Sequence, residues 1–161
     1  MRHILSLLVE NEAGALSRIS GLFSARAYNI ESLTVAPTED ETVSRMTIVT
    51  VGSDEIVEQI TKQVNKLIDV IKVADLSGRR HISRELLLIK VHANIESGEK
   101  LKDLIERFHA SIVDDSEATL TVELSDESNK IDEFIEAVEK ELIIEVVRSG
   151  VTGIAVGSKA I

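Results

Sequence analysis

The sequence predicts an α+β fold made of two consecutive β-α-β-β-α-β units. Three observations predict it. Apolar residues alternate between helical and strand spacing in the order strand, helix, strand, strand, helix, strand. The pattern breaks at Ser77-Gly78-Arg79-Arg80 and then repeats. Each half is about 75–80 residues long, the scale of one small domain.

The elements follow in order. Ile4 to Val9 is apolar on both faces apart from Ser6 and reads as a central strand. Leu16, Ile19, Leu22 and Phe23 recur at helical spacing, which predicts a helix from about Gly14 to Ala27. Asn29 to Ala36 alternates, with Leu33 and Val35 on one face, and Pro37 ends the run. Thr42 to Val51 is rich in β-branched residues and predicts the next strand. Ile56, Ile60, Val64, Leu67 and Ile68 line one side of a second helix, and Val70 to Leu76 closes the unit. After the linker, Leu86 to Ala93 predicts a strand, and Leu101, Leu104, Ile105 and Phe108 mark a helix. Ile112-Val113 is a short strand and Thr119 to Leu124 alternates as the next. Ile131, Phe134, Ile135 and Val138 mark the last helix. Ile143 to Val147 is the last clear strand, extended by Ile154 to Val156. Two ferredoxin-like domains result, over residues 1–77 and 81–161. Each sheet then has helices on one face only and is small for its own core. Oligomerisation or a partner is expected to cover the other face.

Composition narrows the function classes. The chain has 161 residues, is 43% hydrophobic and only 2% aromatic, and carries a formal charge of −10. An acidic surface poor in aromatics argues against nucleic acid, which needs cationic patches and stacking rings, and against an anionic membrane surface. Absence of cysteine excludes disulfides, thiolate zinc sites and a cysteine nucleophile. The apolar run at Ile4-Leu5 is too short for a signal peptide, so a cytoplasmic protein is expected. His3, His81, His92 and His109 are scattered without metal-ligand spacing. Glu39-Asp40-Glu41 and Asp114-Asp115 read as a hairpin tip and a turn, solvated or weakly cation-binding. Arg79-Arg80-His81 is either a solvated linker or a partner for an acid. Gly150, Gly153 and Gly157 match no phosphate-binding spacing and mark a bend and an ending strand. No catalytic constellation or cofactor site emerges.

The most informative run is Asn11-Glu12-Ala13-Gly14-Ala15-Leu16-Ser17-Arg18, followed by Tyr28-Asn29-Ile30-Glu31-Ser32-Leu33. A glycine at a strand-to-helix turn lets backbone N–H groups approach a ligand, and a helix N-terminus favours a carboxylate. An amide on each side, Asn11 and Asn29, suits a small zwitterion such as an amino acid. The same residues are equally consistent with a tight turn alone, in which Asn11 bonds its own backbone. Asn94-Ile95-Glu96-Ser97-Gly98 echoes this turn in the second half with wider spacing, which reads as recurring topology without a site.

Asn11 to Arg18, Tyr28 to Pro37 and Ser44-Arg45-Met46-Thr47-Ile48 together resemble the small regulatory subunit of acetolactate synthase (acetohydroxyacid synthase). The similarity extends over the whole chain, with its specific motifs in the first half. The resemblance implies that residues 1–77 are an ACT domain that senses a branched-chain amino acid, most often valine, between two such domains of a homodimer. Matching positions are Asn11, Gly14, Ala15, Leu16, Asn29 and Ile30. Backbone N–H groups near Ala15 and Leu16 are expected to take the carboxylate, the carbonyl oxygens of Asn11 and Asn29 the ammonium, and Ile30 the branched side chain. It also implies a separate catalytic large subunit, which carries thiamine diphosphate, Mg2+ and FAD; no cofactor is expected in this chain. A free-standing ACT-type sensor of another enzyme or regulator is the alternative. Ala27 departs from the family pattern, where glycine is usual, and a left-handed alanine there costs ~1 kcal/mol.

Overall fold

The computed structural model describes residues 1–92, 95–116, 118–158 and 160–161. They form two four-stranded antiparallel sheets with helices, in two ferredoxin-like β-α-β-β-α-β arrangements, as the periodicity predicts. The elements are β1 (Arg2–Glu10), α1 (Ala15–Ala25), β2 (Ile30–Pro37), β3 (Val43–Val51), α2 (Asp54–Val64), β4 (Val70–Asp75), β5 (His81–His92), α3 (Ile95–Phe108), β6 (Ser111–Ser116), β7 (Thr119–Asp126), α4 (Ser128–Ala137) and β8 (Ile143–Ala155). Sequence periodicity locates every one of them, with ends shifted by a few residues. Two strands differ more: β5 begins at His81, and the two C-terminal strand segments are one continuous β8.

The compact units are Met1–Ser83 with Val151–Ile161, and Arg84–Gly150. This division departs from the sequence reading, which assigns all of residues 81–161 to one domain. The reason lies in burial. In the first unit, strand order is β2-β3-β1-β4. Alternate residues of β1 and β3, including Leu5, Leu7, Met46 and Ile48, face Ile19 and Phe23 of α1 and Val57, Ile60 and Val64 of α2. The opposite face carries a second apolar cluster, Ile4, Val49 and Leu76, and Val151 completes it. The chain's own C-terminal segment thus supplies part of the cover expected from oligomerisation or a partner. Gly153 permits the close approach, since a Cβ there would stand 3.0 Å from Leu76 Cδ1.

The second unit orders its strands β6-β7-β5-β8 and packs Leu87, Ile89, Val91, Val122 and Leu124 against Leu101, Ile105, Ile131 and Phe134 of its helices. Phe108 and Phe134 meet edge to face at 5.3 Å. The buried Glu85 carboxylate is held by Arg148 through two hydrogen bonds of 2.9 Å. Asn94 lies outside the described residues.

Helix α1 ends in a Schellman motif. Tyr28 N–H donates to Phe23 O at 2.9 Å and Ala27 N–H to Ser24 O at 3.1 Å, while the Phe23 and Tyr28 rings meet edge to face. Ala27 takes the left-handed residue of that motif, φ 53°. The glycine-to-alanine departure therefore leaves the turn type intact. It launches β2, an edge strand, directly at Ile30.

Candidate functional site: the Gly14 turn and the β2 edge

The site begins where β1 ends. Asn11 N–H donates to Thr42 O at 2.7 Å, and its side-chain Nδ2 donates to Glu41 O at 2.8 Å. Asn11 therefore ties the end of β1 to the β2–β3 hairpin, and its side-chain oxygen remains available as an acceptor. Gly14 is the N-cap of α1 in a left-handed conformation, φ 92° and ψ −12°. That conformation costs little only for glycine. Among the described residues no side chain caps the helix. Ala15 N–H turns back to Glu12 O at 3.3 Å, and Gly14 O accepts from Arg18 N–H at 2.9 Å. The first-turn donors left open to an anion are thus those of Leu16 and Ser17, one residue beyond the pair expected from sequence. Ala15 is buried, whereas Leu16 is 44% exposed and presents an apolar side chain beside the turn.

A pair of residues that sequence reasoning missed braces this turn. Arg18 Nε and Nη2 donate to the two Asp69 carboxylate oxygens at 2.5 and 2.6 Å, and the Asp69 side chain is only 4% exposed. The guanidinium hydrogen bonds hold the Asp69 carboxyl below the usual carboxylate range. Asp69 also accepts from Glu10 N–H through its backbone oxygen, at 2.8 Å. Arg18 then lies against Gly14, where an added Cβ would meet Nη1 at 2.9 Å. Its signal in the sequence is slight: one acid between apolar neighbours, Ile68-Asp69-Val70, just before a strand.

Asn29 and Ile30 sit elsewhere. Ile30 pairs with Thr50, and Asn29 O accepts from Thr50 Oγ1 at 2.6 Å. Asn11 stands at the other end of the sheet, where Glu10 pairs with Val43. From Val43 to Thr50 along β3 is roughly 23 Å at ~3.3 Å per residue. One chain therefore groups Asn11, Gly14, Ala15 and Leu16, and places Asn29 and Ile30 apart from them. The acids of the hairpin bond locally, with Asp40 Oδ1 accepting from Thr42 N–H and Oγ1–H. Among the described residues no cluster of three or more acidic, histidine or cysteine side chains could hold a metal. No described helix is long and apolar enough to cross a membrane.

Comparison with known proteins identifies the frame on which these residues stand. Residues 5–72 match the family described as AHAS small subunit-like ACT domain, and residues 84–157 match the small subunit of acetolactate synthase. The acetolactate synthase small subunit of Haemophilus influenzae is 52% identical over 162 residues, covering 100% of this chain and 99% of the relative. The acetolactate synthase isozyme 3 small subunit of Escherichia coli is 49% identical over 160 residues, covering 99% and 98%. The crystal structure of the acetolactate synthase small subunit from Thermotoga maritima superposes with a TM-score of 0.90 at 31% identity, covering 99% of both chains. Motifs, fold and full-length similarity agree: the chain belongs to the acetolactate synthase small subunit family.

Proposed function

We propose that this chain is the non-catalytic regulatory subunit of a cytoplasmic acetolactate synthase. It activates a catalytic large subunit and makes that subunit sensitive to a branched-chain amino acid, most often valine. Thiamine diphosphate, Mg2+ and FAD belong to the partner, which condenses pyruvate with a second 2-oxo acid.

The observation that carries the effector reading is the polarity of the β2 edge. β2 is the outer strand of its sheet and runs from the Thr50 end to the Ser44 end. Antiparallel addition of a second β2 across a twofold axis sets the Ile30 end of one copy against the Pro37 end of the other. Pro37 pairs with Ser44, which pairs in turn with Val9, at the end where Asn11 and Gly14 lie. Asn29 and Ile30 of a second copy are thereby carried toward the Gly14 turn, although within one chain they lie far from it. A homodimer built this way makes two equivalent sites. Each has open N–H donors at Leu16 and Ser17 for the carboxylate, amide oxygens of Asn11 and the second copy's Asn29 for the ammonium, and Ile30 for the aliphatic group.

Inhibition requires the amino acid to bind one arrangement of the holoenzyme better than another. A differential affinity of ~1–3 kcal/mol gives several-fold to more than hundredfold modulation. The deciding experiment is reconstitution: the chain is mixed with its large subunit and acetolactate formation is followed over a valine titration. The expected result is no activity from the chain alone, higher turnover in the mixture, and inhibition by valine. Synthase activity from the purified chain alone overturns the assignment.

A further inference from the structure

The first unit carries a cavity on the opposite side of the sheet from α1. Between the open face of that sheet and its cover, Ile154 and Ile161 among them, lies a cavity of about 640 Å3. Sites for small organic ligands fall in this size range. Strand register lays out its floor. Ala36, Arg45 and Leu8 stand side by side in one row, and Thr34 and Thr47 in the next, where Ser6, paired with Thr47, lies outside the lining. Directly paired residues point to the same face. The row after that is the apolar one of Val49 and Ile4.

Burying polar groups on a covered sheet face is costly unless they are bonded. Three on this face, Ser6, Arg45 and Thr47, lack partners among the described residues. Ser6 is fully buried and its hydroxyl makes no hydrogen bond among the described residues. Thr47 is 1% exposed, lines the cavity, and makes no side-chain hydrogen bond among the described residues. Arg45 is partly buried, lines the cavity, and has no ion pair among the described residues. A guanidinium so placed turns its donors to the cavity, next to a hydroxyl and an apolar wall of Leu8, Ala36 and Ile154. Such a surface matches a carboxylate with a short aliphatic body. The rim sharpens the choice: Glu39 and Asp40 of the hairpin line it and disfavour ligands with more than one negative charge.

We propose that this cavity binds a short aliphatic monocarboxylate, with Arg45 and Thr47 holding the carboxylate. An amino acid and its 2-oxo acid share that chemistry and differ in the group next to the carboxylate, an ammonium in one and a keto oxygen in the other. The test is NMR titration of the full-length protein with L-valine, with 3-methyl-2-oxobutanoate, and with L-valinamide, which has no carboxylate. Saturable shifts at Leu8, Arg45 and Thr47 are expected with at least one of the two acids and not with the amide. Whichever acid produces them identifies the source. Arg45→Gln should weaken that binding roughly tenfold or more, the loss of a charge-assisted contact. Thr47→Val, which keeps the shape of a buried strand residue, should weaken it several-fold, and Arg45→Lys should restore part of it. No saturable shift at these residues with either acid, or unchanged binding in Arg45→Gln, overturns the proposal. Valine shifts confined to the Gly14 turn, with none at Leu8, Arg45 and Thr47 from the 2-oxo acid, overturn it too and leave the effector reading standing.

Discussion

Replacing Gly14 by aspartate tests the effector turn most directly, because two separate physical effects fall on one atom group. The first is steric and conformational. At φ 92° an L-residue is strained, by ~1 kcal/mol. Its Cβ would also stand 2.9 Å from Arg18 Nη1, so the guanidinium must shift from its seat. The second is electrostatic. A new carboxylate ~4 Å from a bound ligand's carboxylate costs between ~1 kcal/mol in water-like surroundings and ~4 kcal/mol at an effective dielectric near 20. Valine binding should therefore weaken by about thirtyfold at the least and up to several thousandfold. Gly14→Ala carries only the first effect and should weaken binding about fivefold. Calorimetry on the holoenzyme measures both, and acetolactate formation over a valine titration reports inhibition. Loss of feedback with activation largely retained is expected for the aspartate variant. Unchanged valine affinity in Gly14→Asp removes this turn from the site. Equal losses in the two variants would show that backbone conformation, not charge, does the discriminating.

Other expectations follow from the same contacts. Asn11→Ala and Asn29→Ala should each weaken valine binding by ~1.5–3 kcal/mol, the worth of one hydrogen bond to a charged group, in the same calorimetric assay. Ala27→Gly relieves a left-handed alanine and should stabilise the protein by ~1 kcal/mol, read as a higher Tm; a lower Tm would mean glycine's flexibility outweighs the relief. The Asp69 carboxyl is held below the usual range by Arg18, so its contribution to stability is complete above ~pH 4 and fades as pH falls through the lowered value. The Tm gap between wild type and Asp69→Asn should accordingly be wide at neutral pH and close in strong acid, and a gap independent of pH contradicts the assignment. A fragment ending near Gly78 keeps the Gly14 turn and the β2 edge but uncovers Ile4, Val49 and Leu76. It should stimulate the large subunit in part, respond weakly to valine and unfold at lower temperature than the full chain; full inhibition through the fragment would assign residues 81–161 another role.

Much of the architecture is local and therefore legible in the sequence. Helical spacing of Leu16, Ile19, Leu22 and Phe23 and the β-branched run from Thr42 to Val51 report elements that are amphipathic or buried on their own account. Gly14 is legible for the same reason, since a strand-to-helix turn makes its demand on one residue's φ. Ala27 shows that a turn can keep its geometry when its residue departs from the usual glycine: the Tyr28 and Phe23 contact and two backbone hydrogen bonds hold it.

Contacts between residues distant in sequence are set by the folded chain as a whole. Arg18 meets Asp69 fifty-one residues away, and neither residue's neighbours announce the other. Val151 closes a cluster begun at Ile4, so the C-terminal strand crosses the boundary that the Ser77–Arg80 break had suggested. Asn11 and Asn29 flank one helix in sequence yet end at opposite ends of the sheet, because β2 returns antiparallel along β3 and begins where β1 begins. Local spacing specifies the elements, their order and the glycine turn, each governed by patterns within a dozen residues. Strand register and the fold's closure determined which of those residues share a site, because they depend on pairings between distant segments that no local pattern encodes.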